Sequence, residues 1–147
     1  MSDAASIKAA RIRALNDQLR CKATGGRVVV TRGIHALGTA SVCQVLAAVA
    51  QFDNFTEDND PWGEHDCAVL TVAGHRVIFK IDYFDRDLRW HSPDASDPAV
   101  TERVMTVIWP KNIEPPWQAN KPRSSRASRL LRHCAEPGVA DTHSATE

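Results

Sequence analysis

The sequence lacks several of the patterns that would assign a function outright. No stretch of its 147 residues approaches the length of a membrane span. The start, Met-Ser-Asp-Ala-Ala-Ser, has no basic segment followed by an apolar run, so a secretory signal is not expected. The four cysteines (Cys21, Cys43, Cys67 and Cys134) form no Cys-x-x-Cys pair, which argues against a zinc ribbon. A chain without an export signal is expected in the cytoplasm, where cysteines are reduced, so free thiols are expected. There is no Walker loop and no dinucleotide fingerprint, and Gly25-Gly26 is too short a signal for either. No serine or cysteine sits in a recognisable nucleophile setting. The formal net charge is zero, so no global field draws nucleic acid or membrane.

What is present is an uneven charge distribution and a readable alternation of elements. Lys8, Arg11, Arg13, Arg20, Lys22, Arg27 and Arg32 face a single acid, Asp17, over the first part of the chain. Asp53, Glu57, Asp58, Asp60, Glu64 and Asp66 form an acidic stretch with no Lys or Arg. Such runs are most often solvated faces, and a basic phosphate-binding face is the other reading.

Ala5, Ala9, Ile12, Leu15 and Leu19 recur at helical spacing and predict a helix from about Ala4 to Cys21. Gly25-Gly26 breaks it. Arg27-Val28-Val29-Val30-Thr31 reads as a strand and Arg32 to Gly38 as a loop. A second helix is predicted over Thr39–Phe52, with Thr39 or a Ser41/Gln44 capping box at its start. The stretch from Asp53 to Gly63 reads as an ordered acidic loop, since Pro61 disfavours helix at Asp60 and Gly63 permits a positive φ.

Cys67–Val72 and Val77–Phe84 predict a hairpin. With Ala73 and Gly74 as its two loop residues, Ala68 faces Phe79, Leu70 faces Val77 and Cys67 faces Lys80. Extended backwards, the same register sets His65 opposite Asp82. Arg86 to His91 is a candidate third, edge-like strand. Asp97-Pro98 reads as the N-cap and first position of a last helix, with Val100, Val104, Val107 and Ile108 as its buried stripe. The expected fold class is α+β, in the order α-β-α-β-β-(β)-α. A small antiparallel sheet of three to four strands packs with about three helices. One domain spans residues 1–108, followed by a disordered tail from 109 to 147.

The dense polar cluster is Glu64, His65, Asp66, Lys80, Asp82 and Asp85. His, Asp and Glu are competent acid/base groups and metal ligands. Candidate catalytic residues are His65, Asp66, Lys80 and Asp82. Candidate ligands for a divalent metal are His65, Asp82 and His91, although no cofactor is otherwise predicted. The competing reading is a buried hydrogen-bond network that fixes the acidic loop against the hairpin. Trp62, Tyr83, Phe84 and Trp90 could form an aromatic recognition patch, though such residues more often pack as core or lid.

Asn59-Asp60-Pro61-Trp62-Gly63-Glu64-His65-Asp66 and Phe79-Lys80-Ile81-Asp82-Tyr83-Phe84-Asp85 are specific motifs. So are Ser92-Pro93-Asp94, Asp97-Pro98 and Thr101-Glu102-Arg103-Val104-Met105-Thr106, and Asn16-Asp17 and Gly26-Arg27 fit the same pattern. Together, over about residues 7–108, the chain resembles the bacterial domain of unknown function 3768 family. It departs where Phe-Gly is expected at Cys67 and Ala68. Phe79 and Phe84 stand for Trp and Tyr, and Ala95 for Pro. The resemblance implies a bacterial protein of a family often carried on plasmids and other mobile elements. It brings no activity with it. It marks the motif residues from Asn59 to Asp66, with Lys80, Asp82, Tyr83, Asp85 and Arg103, as the recognition set.

Members of that family usually end soon after the last helix, with a run like Leu-Ala-x-Glu-Tyr. Back-translated in the neighbouring frame, Trp109-Pro110-Lys111-Asn112-Ile113-Glu114 can spell Leu-Ala-Glu-Glu-Tyr-stop. Residues 109–147 are therefore read as an out-of-frame extension, and resequencing the gene tests this. Three functions follow as expectations. The leading one is an accessory protein that binds an unidentified protein partner, with no membrane role. The second is a metal-dependent hydrolase or nuclease built on Glu64, His65, Asp66 and Asp82. The third is nucleic-acid binding through the basic first helix.

Overall fold

A computed structural model describes residues 3–110. The elements run α1 (Asp3–Lys22), β1 (Arg27–Val30), α2 (Arg32–His35), α3 (Thr39–Gln51), β2 (Cys67–Val72), β3 (His75–Phe84) and β4 (Glu102–Ile108). The fold is α+β, with four strands in the order β1-β4-β3-β2. β3 runs antiparallel to both of its neighbours, β2 and β4, while β1 runs parallel to β4. That parallel pair is a departure from the antiparallel sheet expected. The expected tail lies outside the described residues.

The hairpin register follows from its turn. Ala73 has φ 49° and Gly74 φ 80°, so both loop residues adopt the left-handed geometry that matches strand twist. Cys67 pairs with Lys80, Ala68 with Phe79 and Leu70 with Val77, as the sequence predicts. The odd positions of β3 then face inward with Ala68, Leu70 and Val72 of β2. Val28 and Val30 of β1, and Met105 and Val107 of β4, complete that face. It packs against Val42, Val45, Leu46 and Val49 of α3 and Leu19 of α1. Burying each such side chain is worth about 1.5–3 kcal/mol before conformational entropy is subtracted.

The predicted last helix is instead the strand β4. The residues Glu102–Ile108 alternate half-buried and buried, with Arg103, Met105 and Val107 inside. Helical spacing of the valines misleads because valine stands on both faces and a buried arginine occupies a core position. The Asp97-Pro98 signal belongs to a turn, where the Asp97 carboxylate accepts the Ala99 N–H at 2.9 Å. The β-branched content of the segment was the opposing clue.

Smaller differences have local causes. Arg32–His35 forms a short helix rather than a loop. Neither Thr39 nor Ser41 caps α3, because Gly38 precedes its first turn with φ 96° and no side chain caps it. Arg86–His91 forms a turn with one bridge, Phe84 to His91, not a strand. Cys21 and Cys67 are free thiols, as expected. Gly26 is demanded by packing, since a Cβ there would lie 2.6 Å from the Arg103 carbonyl oxygen.

Candidate functional site: a buried polar network at one end of the sheet

The stripe that α1 buries is Ile12, Asn16, Leu19 and Arg20, not the all-apolar stripe of the sequence. Leu15 is only half-buried and Ala5 is exposed. The helix tolerates a buried asparagine and arginine because both find partners.

Asn16 is fully buried. Its Nδ2 donates to the Glu64 carbonyl at 2.9 Å and to the Tyr83 hydroxyl at 2.7 Å. Its Oδ1 accepts from Arg103 Nε at 3.0 Å. The Tyr83 hydroxyl in turn donates to the Glu64 carboxylate at 2.9 Å. Arg103, 1% exposed, also donates to the Ala95 carbonyl and lies 5.3 Å from the Tyr83 ring centre. Asn16 thus ties α1 to the acidic loop, β3 and β4 at once.

The next residue of α1, Asp17, takes His65. The Nδ1 atom sits 2.9 and 3.1 Å from the two carboxylate oxygens. A carboxylate only accepts, so Nδ1 carries the proton. The Nε2 atom is 3.8 Å from Asp60. Asp60 is buried and accepts the backbone N–H groups of Glu64 and His65, at 3.0 and 3.1 Å. Phe55 stacks on the His65 ring, with centres 3.8 Å apart and planes 8° from parallel.

Arg20 closes the third side. Its Nη1 donates to the carbonyls of Val49, Ala50 and Phe52, the last turn of α3. Its Nη2 reaches Asp17 at 2.9 Å. Its guanidinium lies 5.2 Å from the Phe55 ring centre, within cation–π range.

Ionisation follows burial. Desolvation pushes Glu64 above its ordinary value, aided by Asp66 and Asp60 and opposed by the Tyr83 hydrogen bond. Desolvation also raises Asp66, Cys67 and Tyr83. The hydrogen bond from Lys80 to Asp82 raises the Lys80 ammonium.

Several expectations are corrected here. The His65–Asp82 pair does not form. β2 begins at Cys67, His65 turns out of the ladder with φ 56°, and its ring goes to Asp17. For the same reason Glu64, His65 and Asp66 do not alternate across a strand. Lys80 and Asp82 do share a face, as an ion pair at 2.7 Å on the side of the sheet away from the helices. His91 is exposed in its turn. Among the described residues, no three His, Cys, Asp or Glu side chains converge where a metal ion could be held.

The remaining motif residues build the loops. Asn59 accepts the Thr56 N–H at 2.8 Å and donates to the Asn54 carbonyl at 2.9 Å. Pro61 follows the buried Asp60, and Gly63 takes φ 66° where Arg13 meets its carbonyl at 3.2 Å. Asp85 accepts the Arg89 N–H. Of the bases on α1, Lys8, Arg13 and Arg20 hold protein partners. Arg20 and Phe55 are the members that sequence reasoning missed. Asn16 and Asp17 stood out only as fits to a family pattern. A buried polar residue in step with Ile12 and Leu19 was the available signal.

Residues 30–112 match the family model described as Protein of unknown function (DUF3768). The chain belongs to that family. The DUF3768 match begins later than the resemblance suggests and runs past Ile108, beyond the point where the change of frame was read. It covers the acidic loop, Tyr83 and Arg103, while Asn16, Asp17 and Arg20 precede it. No curated protein and no solved structure matches the chain.

Proposed function

We propose that this DUF3768 protein is a cytoplasmic accessory protein that docks a protein partner at the network end of its sheet. The observation that carries this reading is a pair of exposed indoles. Trp62 is 73% and Trp90 76% exposed. Trp62 stands in the loop entering β2, and Trp90 in the turn leaving β3, so both lie at one end of the sheet. Solvent-exposed tryptophan loses apolar burial that folding could have supplied, and tryptophan is enriched at interface hot spots.

The polar network suits this role. It holds the Trp62 loop through buried Asp60, Asn16 and Arg13, and a loop already ordered loses little entropy on binding. The exposed acids Asp53, Glu57 and Asp58 in the same loop favour a basic surface opposite. No helix among the described residues is long and apolar enough to cross a membrane. A role in mobile-element biology belongs to the same proposal and rests on the habit of the family.

The test is quantitative affinity capture from the native host, comparing the parent with Trp62→Ala/Trp90→Ala. We expect a captured protein to fall at least about tenfold with the double variant while its thermal midpoint stays at the parental value. Equal capture by both chains refutes the reading.

A further inference from the structure

At the hairpin-turn end of the sheet, away from Trp62 and Trp90, a cavity of about 130 Å³ lies between the helix-covered face and the helices α2 and α3. Its apolar walls are Ile34, Leu37, Val45, Val72 and Val77. Leu37 and Gln44 are exposed and mark where it meets solvent. Trp109 follows β4 and continues the inward alternation of Met105 and Val107, so its ring reaches the same cavity beside His75. The two rings stand edge to face, with centres 4.8 Å apart and planes at 66°. Trp109 lies inside the segment that matches the family.

Each of these rings brings an unsatisfied polar atom. Trp109 Nε1 and His75 Nδ1 are shut from solvent and have no hydrogen-bond partner among the described residues. Buried polar groups in native proteins nearly always find one. An indole N–H only donates, so Trp109 calls for an acceptor. His75 Nδ1 donates or accepts according to its tautomer, and a hydroxyl oxygen suits it either way. A single water takes about 30 Å³, so a water bridging the two atoms leaves most of the cavity facing hydrocarbon. An apolar cavity of about 150 Å³ holds one benzene ring.

We propose that this cavity binds a single-ring aromatic molecule with a hydroxyl on its edge. The ring fills the space against Val45, Val72 and Val77, as its size allows. The hydroxyl oxygen accepts from Trp109 Nε1–H and meets His75 Nδ1, the two atoms that folding leaves without partners. Apolar walls that supply burial, with a few polar atoms that fix orientation, are the usual make-up of a small-molecule site. This site is separate from the tryptophan-bearing end, and either proposal can fail without the other.

The test titrates the full chain with phenol, and with benzene as the probe that lacks the hydroxyl, and follows indole and backbone N–H signals by nitrogen-edited NMR. Trp109→Phe assigns the Trp109 indole signal. We expect phenol to move that signal with a Kd at or below about 1 mM, and benzene to bind at least about fivefold more weakly. Trp109→Phe removes the donor but keeps a ring, and it brings phenol to the level of benzene, read at the Val72 and Val77 amides. Val45→Phe fills the space and abolishes the response to both probes. Should Val45→Phe not fold, Trp109→Phe decides alone. No response to phenol overturns the proposal, whether the cavity holds only water or the segment beyond Pro110 fills it. Equal affinity for the two probes, or phenol binding untouched by Trp109→Phe, overturns it too.

Discussion

Asn16 and Arg103 are 87 positions apart in sequence, yet their side chains share a 3.0 Å hydrogen bond and both are shut away from solvent. Among the described residues no carboxylate pairs with the buried guanidinium, so it leans on the Asn16 amide, the Ala95 carbonyl and the Tyr83 ring. Burial accordingly lowers its pKa from the ordinary value.

Removing one member therefore strands the others. Asn16→Ala should cost about 2–4 kcal/mol, because it leaves the buried Arg103 Nε–H and the Glu64 carbonyl without their Asn16 partner. Arg103→Met removes the charge while keeping most of the volume. A double-mutant cycle of the two by urea denaturation should show a coupling of about 1–2 kcal/mol. Additive losses would mean that the contact carries no energy of its own.

Arg20 joins α1 to the end of α3 through three carbonyls and Asp17. Lysine keeps the charge but lacks the planar fork. Arg20→Lys should lose about 2–3 kcal/mol of stability, read by chemical denaturation. A loss under about 0.5 kcal/mol would show that a point charge suffices there.

Glu64 links stability to pH. Its folded pKa lies above the ordinary 4.5, mainly through burial. Between those values the folded state holds the proton more tightly than the unfolded state, so stability falls as pH rises through that window. Glu64→Gln lacks this dependence, and its amide oxygen can still accept from Tyr83. Thermal midpoints from pH 4 to 8 should shift in favour of the glutamine variant as pH rises. A constant difference between the two chains would contradict the buried-carboxylate account.

Ala73 occupies a left-handed position, φ 49°, that suits asparagine or glycine better than alanine. No network residue touches it. Ala73→Asn should therefore stabilise the chain by about 0.5–1 kcal/mol, measured by urea unfolding. A loss would mean that the turn is not of the type its dihedrals indicate.

The legible parts of the sequence were those governed by short-range periodicity. α1 and α3 follow apolar spacing near 3.6, and the β2–β3 register follows from one two-residue turn. β4 escaped because valine recurs on both of its faces while Arg103 takes an inward position. A pattern rule assigns arginine to solvent. The burial that pays for it is supplied by Asn16, in the opposite third of the chain.

The sequence alone determined the family, the hairpin and the loop whose motif carries the acids, because local geometry and residue order suffice for these. It also marked Glu64, Tyr83 and Arg103 as members of one pattern. Only the tertiary structure decided that β1 lies beside β4 and that His65 answers to Asp17 rather than Asp82. A hydrogen bond depends on where two backbones bring a donor and an acceptor in space. Chain separation carries no record of that once the intervening residues fold.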